Sequence, residues 1–517
     1  MEIKIINCRV SVTFQGNLQD FVAKKYKINP ADIEEFRILR QSVDARKKND
    51  IVYDYQFYLK LTSSPKGLLN YKEVTEYKKP LSIVYHEWKG KYAPVVVGFG
   101  PSGMFAALYL ARCGAKPIVI ERGSPIEKRQ EEVDNFLKNK VLNKNSNIQF
   151  GEGGAGAFSD GKLTTNVNSP LNAFILNEFY LHGADQDVTY SATPHVGTDY
   201  LAKVVKNIRE EIIQLGGKFY FNTLFTDFEA QQNELLIHCS QDILLKTNHL
   251  LLCLGHSARD TITHLYSKGM PMEAKAFSMG VRVEHLQTDV NKMQYGSFAK
   301  YLPNASYKAV VHLKDRSVYT FCMCPGGEVM ASASEPDTIV TNGMSRKKRD
   351  KANANAALLV NVTPADFYHN SPLDGLAYQQ KYEKAAFDVA GDYRAPCNLF
   401  KEFLHGTVAT QVRSVKPSYP HGVLLCDLKR CLPNYVVEAL REAIPKIDAK
   451  MRGFYQPDAL MIGIESRSSS PVRILRGDNM QSVINGVYPV GEGAGYAGGI
   501  MSAAIDGLRV AMKIVEE

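Results

Sequence analysis

The sequence predicts a mixed α/β fold in which a parallel sheet is interrupted by an inserted, mainly antiparallel domain. A buried strand, a glycine-rich turn, a helix and a second strand follow one another over residues 93–121. This order forms a βαβ unit, which implies parallel strands. A last short strand and a helix of small residues, at 486–515, are expected to return to the same sheet. The predicted parts are an N-terminal α+β domain (1–90), a split α/β domain (91–270 and 476–517) and an inserted cap domain (271–475).

The N-terminal domain is predicted from one strongly alternating segment. Between residues 51 and 61, large apolar side chains occupy every second position, the period of a strand with one buried face. Helices are expected over residues 17–27 and 30–36, the second opened by an Asn-Pro pair. Residues 72–90 form a polar connection, so the domain boundary is placed near residue 90.

The later elements alternate between helical and extended patterns. A helix is expected over residues 198–215, where apolar residues form one stripe and a Gly-Gly pair ends it. The strand candidates that follow are 218–222, three alternating segments at 224–229, 234–239 and 242–247, and a buried strand at 249–255. The cap has strand candidates at 276–285, 308–313, 317–324 and 329–334, and expected helices at 377–389 and 433–444.

Composition and charge exclude several classes of protein. The 517 residues are 45% hydrophobic and 22% charged, as in globular proteins rather than disordered or collagen-like ones. Against 54 acidic side chains there are 62 basic ones, and the net charge of +8 is too small to indicate a nucleic-acid partner. Nine cysteines without a framework spacing indicate reduced thiols in a cytoplasmic protein. Neither a membrane helix nor a metal is expected, because long apolar stretches and zinc-ligand spacings are missing from the sequence.

The strongest motif is the glycine-rich turn at residues 98–103, which has the pattern Gly-x-Gly-x-x-Gly. It follows a strand and opens a helix, the context of a dinucleotide-binding, Rossmann-like fingerprint; a purely structural turn is the alternative. Glycine lets the backbone approach a pyrophosphate, and the helix N-terminus offers it free N–H groups. An acidic residue ends the second strand, where it is expected to accept a hydrogen bond from a ribose hydroxyl and to disfavour NADP. These residues are Gly98, Gly100, Pro101, Ser102, Gly103 and Glu121.

Three further segments favour FAD over NAD. The Glu-Arg-Gly at residues 121–123 resembles a segment that follows the second strand in many flavoproteins. A long glycine-rich loop at 151–162 is expected to wrap the pyrophosphate, unless it is a flexible surface loop. Residues 490–493 resemble the C-terminal flavoprotein motif whose acid binds ribityl hydroxyls, and the helix after 498 is expected to point at the flavin, unless it is an ordinary helix start. The additional predicted cofactor residues are Arg122, Gly153, Gly154, Ala155, Ser159, Lys162, Gly255, Gly491, Glu492, Gly498, Gly499 and Ile500.

Together these segments resemble the glutathione-reductase-type FAD superfamily. Within it, the chain resembles a bacterial family described as uncharacterised FAD-dependent, or NAD(FAD)-utilising, dehydrogenases. The blocks that carry the narrower resemblance are 40–46, 255–260, 321–327, 341–345 and 465–473. The resemblance implies an FAD/NAD(P)-binding domain with an inserted cap and a flavin oxidoreductase activity. It names no substrate, and a second strand–glycine turn–helix unit for NAD(P)H is missing from the sequence.

Candidate catalytic residues lie mostly in the predicted cap. Cys322 and Cys324 are two residues apart on an expected strand and should share one face, where a thiolate near flavin would shuttle electrons; buried structural cysteines are the alternative. Arg467 is expected either to clamp an anionic substrate group or to pair with Glu465. His256 follows the glycine that ends a predicted strand, where its ring would approach the cofactor.

The sequence therefore predicts a cytoplasmic, FAD-dependent oxidoreductase that transfers a hydride between a small organic substrate and flavin N5. Two alternatives remain. One is an RNA-binding flavoprotein that modifies a nucleoside, suggested by the basic run at 345–351, although no aromatic residues are interleaved with its charges. The other is a flavin-binding protein without catalytic activity.

Overall fold

The computed structural model describes residues 1–79, 82–232 and 234–516. The chain begins with a four-stranded antiparallel sheet in the order β2-β3-β1-β4. A helix packs on it, and Ile3, Ile5, Val22 and Phe57 are fully buried between the two layers. The elements of this part are β1 (Glu2–Ser11), α1 (Leu18–Tyr26), β2 (Ile33–Asp44), β3 (Val52–Leu61) and β4 (Val74–Glu76).

The helix expected over residues 30–36 is wrong. Only Pro30–Asp32 form a single 3-10 turn, capped by the Asn29 side chain, which accepts the N–H of Ala31 at 3.2 Å. From Ile33 the chain is extended and pairs antiparallel with β3 along its length. The Asn-Pro pair therefore begins a short turn and not a helix. The residues after it are extended because they pair with β3, and such tertiary contacts override local helix propensity.

The second sheet is parallel, and its five strands have the order β23-β11-β5-β6-β7. Each strand is short, and the central ones are fully buried runs of Val, Ile or Leu, as expected for a sheet covered on both faces. Its strands and associated helices are β5 (Val95–Val97), α2 (Pro101–Arg112), β6 (Ile118–Ile120), α3 (Ile126–Asn139), α4 (Leu171–Leu181), α5 (Thr198–Gln214), β7 (Lys218–Tyr220), β11 (Leu250–Leu252), α6 (Arg259–Ser267), β23 (Val487–Pro489) and α12 (Ile500–Glu516).

A small antiparallel sheet lies between β7 and β11 and has the order β10-β9-β8. Its strands are β8 (Phe225–Gln231), β9 (Glu234–Cys239) and β10 (Leu244–Thr247). The C-terminal helix α12 crosses α2 closely, since a Cβ added at Gly507 would lie 2.0 Å from the Ser102 carbonyl oxygen. The last strand and helix of the chain thus complete the layer that begins at residue 95.

The segment between α6 and β23 forms a seven-stranded mixed sheet in the order β14-β15-β18-β13-β21-β19-β20. Only its last pair, β19 with β20, is parallel. The strands of this segment are β12 (Met272–Ala274), β13 (Phe277–Leu286), β14 (Val310–His312), β15 (Ser317–Cys324), β16 (Glu328–Ala331), β17 (Thr341–Met344), β18 (Asn353–Val362), β19 (Ala395–Leu399), β20 (Val423–Leu425), β21 (Leu460–Glu465) and β22 (Val472–Ile474). Its helices are α7 (Gln287–Tyr295), α8 (Pro364–Phe367), α9 (Asp374–Ala390), α10 (Phe400–His405) and α11 (Asn434–Lys450).

Helices that could cross a membrane and groups of side chains that could bind a metal ion are both absent from the described residues. Among the helices described, none is both long and apolar enough to cross a membrane. Within the same ranges, no three His, Cys, Asp or Glu side chains are grouped so that they could hold a metal ion.

Candidate functional site

A cavity of about 1050 Å³ opens at the carboxyl ends of the parallel strands and extends to the seven-stranded sheet. Ligands bind at this edge of open parallel sheets, and the volume suits a ligand of cofactor size. Its wall includes most of the residues predicted from the sequence, namely Gly98, Gly100, Pro101, Ser102, Glu121, Arg122, Gly154, Ala155, Ser159, Lys162, Gly255, His256, Arg467, Glu492, Gly498, Gly499 and Ile500. The wall does not include Gly103, Gly153, Cys324 or Gly491.

The glycine-rich turn between β5 and α2 is built by close backbone contacts. Gly98 has a φ of 95°, and a Cβ there would lie 2.6 Å from the Cys253 carbonyl oxygen. A Cβ at Gly103 would lie 1.9 Å from the carbonyl oxygen of Gly98. Gly100 differs, because a Cβ there would meet only the Cα of Gly154, at 3.7 Å. Gly98 and Gly103 are therefore required by the backbone packing of the turn, whereas Gly100 leaves space open in the cavity.

Glu121 ties three glycine-rich turns together. One carboxylate oxygen accepts the Phe99 N–H at 2.8 Å, and the other accepts the N–H groups of Gly123 and Gly151, each at 3.1 Å. Hydrogen bonds from backbone N–H groups to an ionised acceptor are among the stronger ones in proteins. The sequence assigned Glu121 only to a ribose hydroxyl; the structure adds a positioning role for the whole cavity wall.

The glycine-rich loop after residue 150 is held in place by Arg129, which the sequence analysis missed. This fully buried guanidinium donates to the carbonyls of Ile148 at 3.0 Å and Glu152 at 2.6 Å, with further bonds to Asn147 and Gly151. Burial lowers the pKa of Arg129 to about 10, so the group stays charged at neutral pH. The loop is thus a packed element of the wall. Arg129 falls on the buried face of the amphipathic helix α3, and that position is the one signal in the sequence that could have identified it.

Lys162 lies between a carboxylate and a thiol on one side of the cavity. Its Nζ is 3.0 Å from an Asp160 carboxylate oxygen and 3.7 Å from the Cys324 sulfur. Asp160 also accepts from Arg349 at 2.8 Å and from the Ser345 hydroxyl. Although burial alone would lower it, the pKa of Lys162 is raised by the neighbouring thiols and Asp160. Lys162 is therefore a cation fixed at the cavity wall.

The two candidate cysteines do not face the cavity equally. The pairing of β15 with β18 is irregular between Phe321 and Cys324, and Cys322 has a φ of 42°. As a result Cys322 is half-buried on the cavity wall, whereas Cys324 is fully buried behind it. Bulges of this kind redirect side chains. The simple strand period predicted one shared face and did not distinguish the two thiols.

His256 and Glu492 form a pair at the opposite side of the cavity. His256 Nδ1 lies 2.9 Å from a Glu492 carboxylate oxygen. In the part of the chain that the structure describes, the other ring nitrogen, Nε2, is buried and has no hydrogen-bond partner. An imidazole oriented by a carboxylate with a free second nitrogen is suited to bind a polar group or move a proton.

Arg467 is held by a buried carboxylate that the sequence did not identify. Its guanidinium donates to Glu383 at 3.0 and 2.8 Å and to the hydroxyls of Ser257 and Ser334 at 2.9 and 2.6 Å. The partner considered from the sequence, Glu465, instead binds Arg282. Because most of its N–H groups are used inside the protein, Arg467 shapes the wall rather than offering a free clamp.

Comparison with known proteins gives the cofactor. Residues 276–468 match a family model described as FAD-dependent protein, C-terminal domain-like, and residues 2–59 match a domain of unknown function. The chain is an FAD-dependent protein. It belongs to one family with an uncharacterized protein of Clostridium beijerinckii, to which it is 45% identical over 528 residues, covering 100% of this chain and 99% of the relative.

Solved structures with low similarity include flavoproteins. A halogenase PltM mutant in complex with FAD matches with 8% identity over 82% of this chain and 70% of its own, at a TM-score of 0.40. CtdE in complex with FAD matches with 12% identity over 81% and 83% of the two chains, at a TM-score of 0.30. These similarities are too low to carry an argument about activity.

The cavity fits FAD on three structural observations. The start of α2 carries no capping side chain, because Gly100 is its N-cap residue, so its first N–H groups are available to phosphate oxygens. A Cβ added at Gly498 or at Gly499 has no heavy atom within 4 Å, so the approach to α12 is open. The buried Nε2 of His256 has no protein partner among the described residues.

Proposed function

We propose that the protein is an FAD-dependent oxidoreductase whose small organic substrate shares one cavity with the flavin. The observation that carries this proposal is the continuity of the cavity, whose wall runs from the Gly98 turn to Thr320 and Phe321 of the seven-stranded sheet. When bound, FAD supplies hydride-transfer chemistry at N5, and the protein positions the substrate and excludes water.

The residues proposed to hold FAD follow from their positions on the wall. The N-terminus of α2 with Gly100 would receive the pyrophosphate, Glu121 the adenosine ribose, and Glu492 the ribityl chain. The N-terminus of α12 would stabilise negative charge at the pyrimidine end of the flavin. The remaining wall residues assigned to the cofactor are Gly98, Pro101, Ser102, Arg122, Gly154, Ala155, Ser159, Lys162, Gly255, Gly498, Gly499 and Ile500.

The substrate is proposed to occupy the side of the cavity formed by the seven-stranded sheet. Lys275 and Lys308 lie on this wall and would favour a substrate with an anionic group. His256 Nε2 is the proposed proton-exchanging atom, since Glu492 orients the ring. Arg467 acts through Glu383 and Ser257 as a positioning residue.

Binding of RNA has less support than this activity. In the basic run at 345–351, Lys347 is paired with Asp187 at 2.7 Å and Arg349 with Asp160 at 2.8 Å. Two of its charges therefore stabilise the protein's own loops and are not free for phosphate groups. Lys351 is paired with Glu328 at 3.1 Å, so Arg346 and Lys348 are the exposed basic residues of the run.

The proposal is tested by anaerobic reduction of the bound flavin with a panel of small hydroxy acids, amino acids, alcohols and thiols. At least one class is expected to bleach the flavin with saturation, because the cavity binds it beside FAD. Dithionite serves as the control that the flavin is reducible. Bleaching by dithionite with no response to any panel compound, and no reoxidation of the reduced flavin by organic acceptors, would favour a non-catalytic flavin-binding protein.

NADH and NADPH are expected to reduce the flavin slowly and without saturation below millimolar concentration. The reason is that, in the described part of the chain, a Gly-x-Gly-x-x-Gly turn lies within a strand–helix–strand unit of the parallel sheet only at 98–103. The similar pattern that begins at Gly151 leads into a short 3-10 turn, Ala155–Phe158, instead of a helix. Stopped-flow absorbance under anaerobic conditions measures the rate. Fast, saturable bleaching by either nucleotide would demonstrate a nicotinamide site.

Replacing Glu121 by Ala is expected to weaken FAD binding by about 1–3 kcal/mol, or roughly fivefold to 150-fold in Kd, since a hydrogen bond to a charged group is lost and three backbone donors are freed. Quenching of flavin fluorescence on binding measures the Kd. The control is Glu127→Ala on α3, whose carboxylate pairs with Arg209 at 2.8 Å outside the cavity. Equal Kd values for both variants and the parent protein would contradict the proposed role.

A further inference from the structure

Two cysteines, Cys322 and Cys324, lie at the end of β15 beside the cavity. In a regular strand, side chains two residues apart stand almost 7 Å from each other, about twice the rise of 3.3 Å per residue. The irregular pairing between Phe321 and Cys324 and the left-handed backbone of Cys322 break that regular geometry. The Cys324 sulfur also lies 3.3 Å from the carbonyl oxygen of Cys322. The backbone here thus turns the Cys324 thiol back onto the peptide group of Cys322.

Fixed cations surround this pair. Lys162 Nζ lies 3.7 Å from the Cys324 sulfur, and the Arg282 guanidinium donates to the Cys322 carbonyl at 2.9 Å. Both cations are themselves anchored, Lys162 by Asp160 and Arg282 by Glu465. A thiolate forms most readily where positive groups surround a cysteine, and the thiolate is the reactive form of sulfur.

The pKa values of the two thiols are shifted in opposite directions, so that Cys322 is the more acidic of the two. The hydrogen bond from Cys324 lowers the pKa of the Cys322 thiol, as do the charges of Lys162 and Arg282, against the effect of burial. The same hydrogen bond raises the pKa of Cys324, and burial adds to the shift. At Cys239, by contrast, burial raises the pKa of the thiol to about 11. The cavity wall therefore presents the more acidic of the two thiols, with the other buried behind it.

We propose that Cys322 and Cys324 form a redox-active dithiol that exchanges two electrons with FAD, an inference that rests on the proposed function. In the forward direction the Cys322 thiolate and the Cys324 thiol lose two electrons and one proton, and one sulfur–sulfur bond forms. Oxidised FAD takes up both electrons and one proton. The ammonium of Lys162, 3.7 Å from the Cys324 sulfur, stabilises the thiolate that forms when Cys324 loses its proton, and that proton balances the one taken up by FAD.

The experiment is an anaerobic dithionite titration of the air-oxidised holoprotein, followed by flavin absorbance. The parent protein is expected to consume about two equivalents per FAD, because disulfide and flavin each take two electrons. Cys322→Ser and Cys324→Ser should each consume about one equivalent. Cys239→Ser, which alters a buried cysteine of β9 outside the cavity, should behave as the parent protein.

A second measurement needs no variant. Oxidised and dithionite-reduced holoprotein are denatured in excess iodoacetamide and mapped by peptide mass spectrometry. The peptide with Cys322 and Cys324 should be unlabelled and cross-linked in the first sample, and labelled at both sulfurs in the second. One equivalent of dithionite in the parent protein, with both sulfurs labelled in the oxidised sample, would overturn the dithiol. The same result with substrate-dependent bleaching intact would leave the oxidoreductase proposal standing.

Discussion

Replacing Gly100 by Val is expected to abolish FAD binding and leave the fold intact. Gly100 has a φ of −75°, which any residue adopts, and a Cβ there has no neighbour nearer than 3.7 Å. The valine side chain would therefore point into the cavity at the start of α2, the place proposed for the pyrophosphate. An obstructed phosphate site should weaken binding by about 3 kcal/mol or more, at least roughly a hundredfold in Kd.

The matched control for this prediction is Gly103→Val, three residues further on. A Cβ at Gly103 would lie 1.9 Å from the Gly98 carbonyl oxygen, and backbone cannot yield as a side chain does. Gly103→Val should therefore lower the thermal unfolding temperature of the FAD-free protein, whereas Gly100→Val should not. Full FAD occupancy in purified Gly100→Val, measured by the ratio of flavin to protein absorbance, would refute the assignment of the turn.

The contrast between these glycines shows how far the sequence could predict the site. The backbone geometry of a six-residue turn is set by the spacing of its own glycines. The motif at 98–103 could therefore locate one wall of the cavity from the sequence alone. The hydrogen-bond partners of Glu121 and Arg467 could not be found in this way, because most of them are distant in the sequence. Glu121 binds N–H groups of three separate turns, and Arg467 binds Glu383, which is 84 residues away. Such pairings depend on the packed fold, which a local pattern does not contain.

The same distinction holds for the strands. β3 alternates because one of its faces is covered, and its period of two was visible in the sequence. β18 and β21 were not predicted, and both lie between other strands of the seven-stranded sheet with almost every residue buried. A strand covered on both faces has no alternation of polar and apolar residues, and β18, unlike the equally buried β13 that was predicted, is also rich in Ala and Asn, which are depleted in strands.

The junction between the two large sheets depends on one buried carboxylate. Glu383, on α9, is fully buried and accepts hydrogen bonds from Arg259 of α6 at 2.8 and 2.9 Å and from Arg467. It also accepts the Ser466 hydroxyl at 2.6 Å. Two guanidinium groups from different parts of the chain thus share one counter-charge. Removing that charge leaves them buried without full compensation, which is far costlier than losing a surface ion pair.

Replacing Glu383 by Gln is therefore expected to destabilise the protein by about 3–5 kcal/mol. The matched control is Glu335→Gln, because Glu335 also binds Arg259, at 3.1 Å, but is a quarter exposed. Its loss should cost less than about 1 kcal/mol. Urea unfolding followed by far-ultraviolet circular dichroism and by flavin fluorescence measures both variants. Equal shifts in the two variants would contradict the role given to Glu383.

Acidification should reduce the difference between the parent protein and Glu383→Gln. Although burial alone would raise it, the two guanidinium groups hold the pKa of Glu383 well below its usual range. A carboxyl group whose pKa is lower in the folded than in the unfolded state contributes stability that is fully present above the unfolded value, about 4.3, and is lost as the pH falls below it. The parent protein should thus begin to lose this contribution below about pH 4 and lose more of it as the pH falls toward the folded value, while the Gln variant has none to lose. Unfolding midpoints at pH 7 and at pH 3.5 provide the measurement, and a constant gap between the two proteins would show that the carboxylate charge is not what stabilises the junction.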